Sequence, residues 1–185
     1  GMTTDFIDFF SNGKSPVSLA FLNKVNDADY LFYTNYPERR LNGDFPVIRK
    51  DDIVVFGSYY ALNLQLRERV VEFLEYAKKQ KAIIYYDLNF RKAHMHEKIQ
   101  LRPAVMENYE YADIVRGSDE DFMNMYGKTD MEGVYKDEIR YYCRQFITTH
   151  GTKGVNLFTD IFRKHYDLSS IIDPVSTIGA GDNFN

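Results

Sequence analysis

From Asp52 onward, short apolar runs alternate with segments of helical period, and few folds accommodate that order. Ile53-Val54-Val55-Phe56 closes at Gly57-Ser58 and has the composition of a strand buried on both faces. Leu66, Val70, Phe73, Leu74 and Ala77 then recur at helical spacing with charges between them. Ile83-Ile84-Tyr85-Tyr86 predicts a second buried strand ending at Asp87, and a helix follows through Ile99, Val105, Met106 and Tyr109. Ile114-Val115 predicts a third strand. Ser118 caps the next helix, Asp121 stands three residues on, and Gly127 stops it. A helix over Glu132–Tyr142 leads to Phe146-Ile147-Thr148-Thr149, and Gly151 and Gly154 turn the chain into Val155-Asn156-Leu157-Phe158. Strands alternating with helices predict an α/β fold with a largely parallel sheet covered by helices.

The first fifty residues read differently. Val17-Ser18-Leu19-Ala20-Phe21-Leu22 alternates in part, Asn26-Asp27-Ala28-Asp29 supplies turn residues, and Tyr30-Leu31-Phe32-Tyr33 returns. That is a β-hairpin signal. Asn42-Gly43 and Pro46 mark further turns, so the chain divides into a hairpin region over 1–50 and an α/β core over 51–185. Gly1 ahead of Met2 reads as a remnant of expression cloning.

Composition excludes several classes. A net charge of −4 gives no electrostatic case for nucleic acid or an anionic membrane. The single Cys143 cannot form an internal disulfide and reads as a small core residue. No secretory apolar region opens the chain and no run is long enough to span a bilayer, so the cytoplasm is the expected location. Tyr (15) and Phe (14) are abundant and Trp is absent, which fits core and sheet packing. His94 and His96 are too poorly placed to converge on a metal and are expected at the surface.

In a parallel sheet the ligand crevice lies outside the carboxyl ends of the strands, and the polar clusters fall there. Asp87-Leu88-Asn89-Phe90-Arg91 follows the second strand, Arg116-Gly117-Ser118 the third, and Thr149-His150-Gly151 a later one. The chain closes on Gly179-Ala180-Gly181-Asp182, where unobstructed N–H groups stand beside a carboxylate. That pairing suits phosphoryl transfer: the N–H groups hold an anion, and the carboxylate takes a proton from an attacking hydroxyl.

These segments, in this order, resemble the ribokinase-like (PfkB) carbohydrate kinases. The four that carry the match are Asp87–Arg91, Arg116–Asp121, Thr148–Gly154 and Gly179–Asp182. Within the family the chain is most similar to bacterial fructokinase-type members. The resemblance implies a ribokinase-like fold with the early hairpin as part of a sugar-covering lid, and ATP-dependent phosphorylation of a sugar hydroxyl. By it, Asp182 is the general base, and Gly179, Ala180 and Gly181 donate N–H groups to the transferred phosphoryl group. Asp87, Asn89 and Arg91 lie beside phosphates and substrate, with Arg91 a natural phosphate partner. Thr149, Gly151 and Gly154 line the nucleotide, and Ser118 stands beside it.

Plainer structural roles stay open for each: a helix-dipole carboxylate at Asp182, a salt-bridged strand end at Asp87, a β-turn at Gly151 and Gly154, and a helix cap at Ser118 and Asp121. The chain also departs from the family pattern. An Asn followed three residues later by a Glu that organises Mg²⁺ is the rule there; here those positions are Ser118 and Asp121. The shorter carboxylate leaves the Mg²⁺ role to act through water or to pass to Glu120. Ser176 replaces an Asp tied to a monovalent-cation site, which puts monovalent-cation activation in doubt.

The glycine-rich substrate motif expected near the start of such a chain is missing, as is the helix expected after Asp182. The 185 residues are therefore expected to be an internal fragment or truncated product, inactive alone. A nucleoside kinase of the same family is the nearest alternative. The other is a non-catalytic ligand-binding or assembly remnant, with the hairpin edge pairing two copies into a homodimer.

Overall fold

The computed structural model describes residues 4–11, 13–22, 28–33, 35, 40–168 and 179–185. The chain divides into two units, Gly1–Gly43 with Ser169–Asn185, and Asp44–Leu168.

In the first unit, β1 (Val17–Leu22) and β2 (Ala28–Tyr33) pair antiparallel, with Val17 opposite Tyr33 and Leu22 opposite Ala28. The hairpin read from the sequence is present; of its expected turn Asn26–Asp29, Ala28 and Asp29 instead pair with Leu22 and Phe21 as the start of β2, and Asn26-Asp27 lies outside the described residues. Phe21, Leu31 and Tyr33 are exposed on it.

The second unit is built on a sheet of order β3-β4-β5-β6-β7-β8. Its strands are β3 (Ile53–Gly57), β4 (Ile83–Asp87), β5 (Ile114–Ser118), β6 (Phe146–Thr149), β7 (Val155–Phe158) and β8 (Arg163–Tyr166). β3 to β6 run parallel, and β7 and β8 extend the sheet antiparallel. The connecting helices are α1 (Ser58–Leu62), α2 (Arg67–Lys79), α3 (Lys98–Tyr111), α4 (Asp119–Tyr126) and α5 (Met131–Val134).

One row of side chains across the sheet forms the floor of the core. Tyr86 pairs with Val115, Val115 with Phe146, and Phe146 with Phe158. Leu62 of α1, Val105 and Tyr109 of α3, Phe122 of α4 and Val134 of α5 close over that row. α2 packs beside β4 and α3 and buries Val70, Leu74 and Ala77, the spacing that predicts it. Phe146 sits among Phe122, Tyr135 and Phe158 with ring centroids 4.9–6.0 Å away, so the aromatic content serves packing here.

Three local features differ from expectation. The first strands are not buried on both faces: Ile53 is 66% and Val55 55% exposed, while Val54 is buried. Alternate residues are buried because the helices close over the Val54–Ile84–Tyr86 side, on the interior strand β4 as on the edge strand β3. The helix expected over Glu132–Tyr142 begins as α5 and passes into a π-helical turn over Tyr135–Ile139, where Arg140 N donates to Tyr135 O at 2.8 Å. The helix through Ile99 is preceded by a 3₁₀ segment, Lys92–Glu97.

α4 starts and stops as read. Ser118 Oγ accepts from Asp121 N, Asp121 accepts from Ser118 N, and Gly127 ends the helix at φ 70°. Back in the first unit, a short helix α6 (Ala180–Phe184) begins within the glycine segment and takes in Asp182 itself.

Gly57 fixes how closely β3 and β4 end together. A Cβ there would lie 2.1 Å from Asp87 O, so no side chain fits unless the strands part. Gly57→Ala should lower the stability of the chain by about 1–3 kcal/mol. A urea midpoint equal to that of the parent would contradict this close approach.

Candidate functional site

Asp87 is the last residue of β4, Arg116 lies opposite it on β5, and Thr149 ends β6. Arg116 donates from Nη1 to Asp87 Oδ1 at 3.0 Å and from Nη2 to Thr149 Oγ1 at 3.1 Å. The Arg116 and Asp87 side chains are only 6% and 9% exposed. A buried guanidinium loses its hydration and requires such partners, so this bridge ties the carboxyl ends of β4 and β6 to β5 between them. Asp87 therefore does occupy a salt-bridged strand end, and Arg116, which the sequence reading placed in a polar cluster but gave no role, is its partner. The signal was present, as a charged residue inside the apolar run Ile114-Val115-Arg116.

One turn further, Asp121 is 2% exposed. Its Oδ2 accepts from Ser118 N at 2.7 Å and from Ser118 Oγ at 2.8 Å. Its Oδ1 is buried with no hydrogen-bond partner. Burial pushes the Asp121 carboxyl up to about 6, against the lowering effect of its Ser118 hydrogen bonds and the Arg91 guanidinium; Asp87 raises it further. The capping role is thus real and uses one oxygen. The other is a buried acceptor facing no donor, which fits a cation held through water, since Mg²⁺ keeps several waters and binds through one or two carboxylates. Glu120 is exposed. Among the described residues no group of three His, Cys, Asp or Glu side chains could hold a metal directly.

The loop after β4 is anchored by buried Leu88 and Phe90, and Asn124 Nδ2 of α4 donates to Phe90 O at 3.1 Å. Between those anchors Asn89 is half-buried at φ 40°, and Ser58 after β3 stands at φ 62°. Two non-glycine residues in the left-handed region at adjacent strand ends are held by their surroundings against a local cost. Arg91 is half-buried.

His94 is not a free surface residue: its ring stacks on Tyr59 at 3.8 Å, and Tyr59 OH donates to Glu97 Oε2 at 2.9 Å. Partial burial lowers the His94 pKa, opposed by Glu97. His96 is exposed, as expected. After β6, Gly151 is exposed at φ 53°. Gly154 is buried at φ 93°, where a Cβ would meet Tyr166 O at 2.2 Å.

Within the second unit, then, Asp87 and Thr149 meet at Arg116, and the Asp121 carboxyl feels both Arg91 and Asp87. Glu120 and Gly151 are not drawn into these contacts. The segment Gly179–Asp182 belongs to the first unit. There Gly179 adopts φ 76° ahead of α6, and Asp182 is exposed in that helix's first turn. Ser176 lies outside the described residues. Among the described residues no helix is long and apolar enough to cross a membrane.

A parallel sheet with polar clusters at successive carboxyl strand ends and a separate β-hairpin describes a ribokinase-like protein. The chain belongs to the pfkB family of carbohydrate kinases, whose profile matches residues 1–185. It is 25% identical over 193 residues to probable fructokinase-4 of Arabidopsis thaliana, covering 100% of this chain and 58% of that one. It is 26% identical over 143 residues to the fructokinase of Vibrio alginolyticus, covering 76% and 46%.

Among solved structures, a double mutant of Vibrio cholerae O395 fructokinase, bound to fructose, ADP and potassium, superposes with a TM-score of 0.80 at 19% identity. It covers 95% of this chain and 57% of that one. Aminoimidazole riboside kinase from Salmonella enterica, complexed with aminoimidazole riboside and an ATP analogue, superposes with a TM-score of 0.67 at 22% identity, covering 76% and 47%. The chain thus spans about half the length of the relatives it matches.

The Asp121 site predicts a pH signature. The folded chain keeps the Asp121 proton up to about pH 6, whereas an unfolded carboxyl releases it near the ordinary 3.8. The folded state therefore binds more protons across that window, and stability falls as pH rises through it, by about 3 kcal/mol in full. Asp121→Asn keeps an acceptor for Ser118 and removes the fall. Urea unfolding at pH 4, 5, 6 and 7 should show a flatter profile for the variant, and identical profiles would contradict the assignment.

Proposed function

We propose that this chain is part of an ATP-dependent, fructokinase-like sugar kinase that transfers the γ-phosphoryl group of ATP to a sugar hydroxyl. The observation that carries this reading is the joining of Asp87, Arg116 and Thr149 at adjacent carboxyl strand ends, beside Asp121, in a chain of the pfkB family. Fructokinases among its relatives support the choice of sugar.

On this reading the Asp182 carboxylate takes the proton of the attacking hydroxyl, whose oxygen forms the new bond to the γ-phosphorus as the bond to ADP breaks. N–H groups of Gly179, Ala180 and Gly181 meet the charge on the transferred group. Arg91 holds phosphate oxygens, while Asp87 and Asn89 shape the approach to them. Thr149, Gly151, Gly154 and Ser118 lie along the nucleotide. When bound, Mg²⁺ would neutralise phosphate charge, held through water by Asp121 or, in its place, by Glu120.

The same reading assigns a cytoplasmic protein and a homodimer through the β1–β2 hairpin, whose Phe21, Leu31 and Tyr33 are exposed. Because the chain spans 58% of the length of a fructokinase relative, turnover belongs to the full chain that carries this sequence, and the 185 residues alone are inactive. A nucleoside acceptor is the second reading, favoured by the likeness to aminoimidazole riboside kinase.

ADP release by the full chain, offered fructose, other hexoses and aminoimidazole riboside, separates the two: fructose should give the highest kcat/KM. Asp182→Ala should lower kcat by about 10²–10⁴-fold. Unchanged turnover in that variant would remove Asp182 as base, and absence of any turnover in the parent would favour a non-catalytic remnant.

A further inference from the structure

Three side chains beside the strand ends have no part in the reaction as assigned: Tyr59, His94 and Glu97. Tyr59 stands in the first turn of α1, which follows β3 directly and buries Ala61 and Leu62, so its ring rises from a fixed element. The His94 ring lies nearly parallel to it, with 3.8 Å between centroids and 9° between planes. Tyr59 OH donates to Glu97 Oε2 at 2.9 Å. His94 Nδ1 is 3.9 Å from that same oxygen, beyond hydrogen-bond reach, so the ring contact is the closer hold on the histidine. Burial lowers the His94 pKa against the raising effect of Glu97, so the ring stacks on Tyr59 in its neutral form at pH 7.

These contacts bear on Arg91. His94 N donates to Arg91 O at 2.9 Å, and Arg91 is the residue at which the loop after β4 turns into the 3₁₀ segment Lys92–Glu97. On its other side Phe90 is buried in the core, and Asn124 Nδ2 donates to the Phe90 carbonyl at 3.1 Å. The Phe90 and His94 ring centroids are 6.5 Å apart, so the two anchors approach each other. Arg91 is half-buried between them, while Lys92 and Ala93 are exposed. A loop arginine that binds an anion gives up backbone and side-chain freedom, and a backbone fixed beforehand removes part of that cost.

We propose that Tyr59, His94 and Glu97 form a clamp that positions Arg91: Glu97 braces Tyr59, the stack on Tyr59 fixes His94, and the His94 N–H fixes the Arg91 backbone. Tyr59 follows β3 and Arg91 follows β4, so a guanidinium carried by a loop takes its place from two strand ends. That the anion is a nucleotide phosphate rests on the kinase reading above; the hold on Arg91 does not. A contact serving stability alone would act on unfolding and not through the Arg91 guanidinium.

Two measurements on the full chain that carries this sequence test the clamp. Hydrogen exchange of residues 91–97, followed by mass spectrometry, reads the hold on the backbone, and calorimetry with Mg²⁺ and ADP reads the guanidinium. His94→Ala should raise exchange over 91–97 by about 10-fold or more. It should also weaken ADP by about 3–10-fold. His94→Phe restores a ring for Tyr59 and should return both quantities to within about 2-fold of the parent. Tyr59→Phe keeps the stack, removes the bond to Glu97 and should fall between the two. Because the clamp acts through Arg91, His94→Ala should weaken ADP no further in an Arg91→Ala background. Additive losses in that double variant would overturn the positioning role. So would exchange over 91–97 that is unchanged in His94→Ala or not restored by His94→Phe. If the parent fails to bind ADP, or Arg91→Ala binds it as the parent does, the phosphate role of Arg91 falls. The clamp is then decided by exchange alone: raised in His94→Ala and restored in His94→Phe upholds it, and any other pattern overturns it.

Discussion

A guanidinium buried in the middle of a parallel sheet is the constraint around which the second unit is arranged. Arg116 cannot be left without partners in that environment, because its charge has given up water and the lone pairs water supplied. Asp87 and Thr149 supply them from the two neighbouring strands. The bridge therefore ties the ends of β4 and β6 to β5, and Gly57 lets β3 close against the backbone of Asp87. A sheet held only by its apolar floor would be free to let those ends splay.

Strain and burial concentrate at the same end of the sheet. Ser58 and Asn89 hold left-handed backbone there, Asp121 keeps one carboxylate oxygen buried and unmatched, and Gly154 lets the β6–β7 turn press against β8. None of these is what packing alone would select. Together they describe a region shaped by something other than stability, which agrees with membership of a family of phosphotransferases.

Much of the fold could be read from residue order, and the exceptions have physical causes. The strands β3 to β7 and helices α2 to α4 follow from apolar period, and both ends of α4 from a capping serine and a stop glycine. β8 escapes because Arg163-Lys164-His165-Tyr166 is exposed throughout and owes its strand state to pairing with β7, which no local pattern reveals. The exposed side of β3 was misjudged because a run of consecutive apolar residues reads the same whether one face of the strand is covered or both. Arg116 was read only as part of a polar cluster, because its role depends on contacts across strands: Asp87 pairs opposite it on β4, and Thr149 of β6 meets its guanidinium through a side-chain hydrogen bond. The burial of His94 likewise depends on Tyr59, distant in sequence.

The most direct test of the Arg116 bridge is a double-mutant cycle between Asp87 and Arg116, with unfolding free energies from urea titrations of the parent, Asp87→Ala, Arg116→Met and the double variant. Each single change should cost about 3–5 kcal/mol by leaving a buried partner uncompensated. The double variant should cost less than their sum by about 2 kcal/mol or more. Additivity within about 0.5 kcal/mol would contradict the claim that this one buried contact holds the strand ends in place.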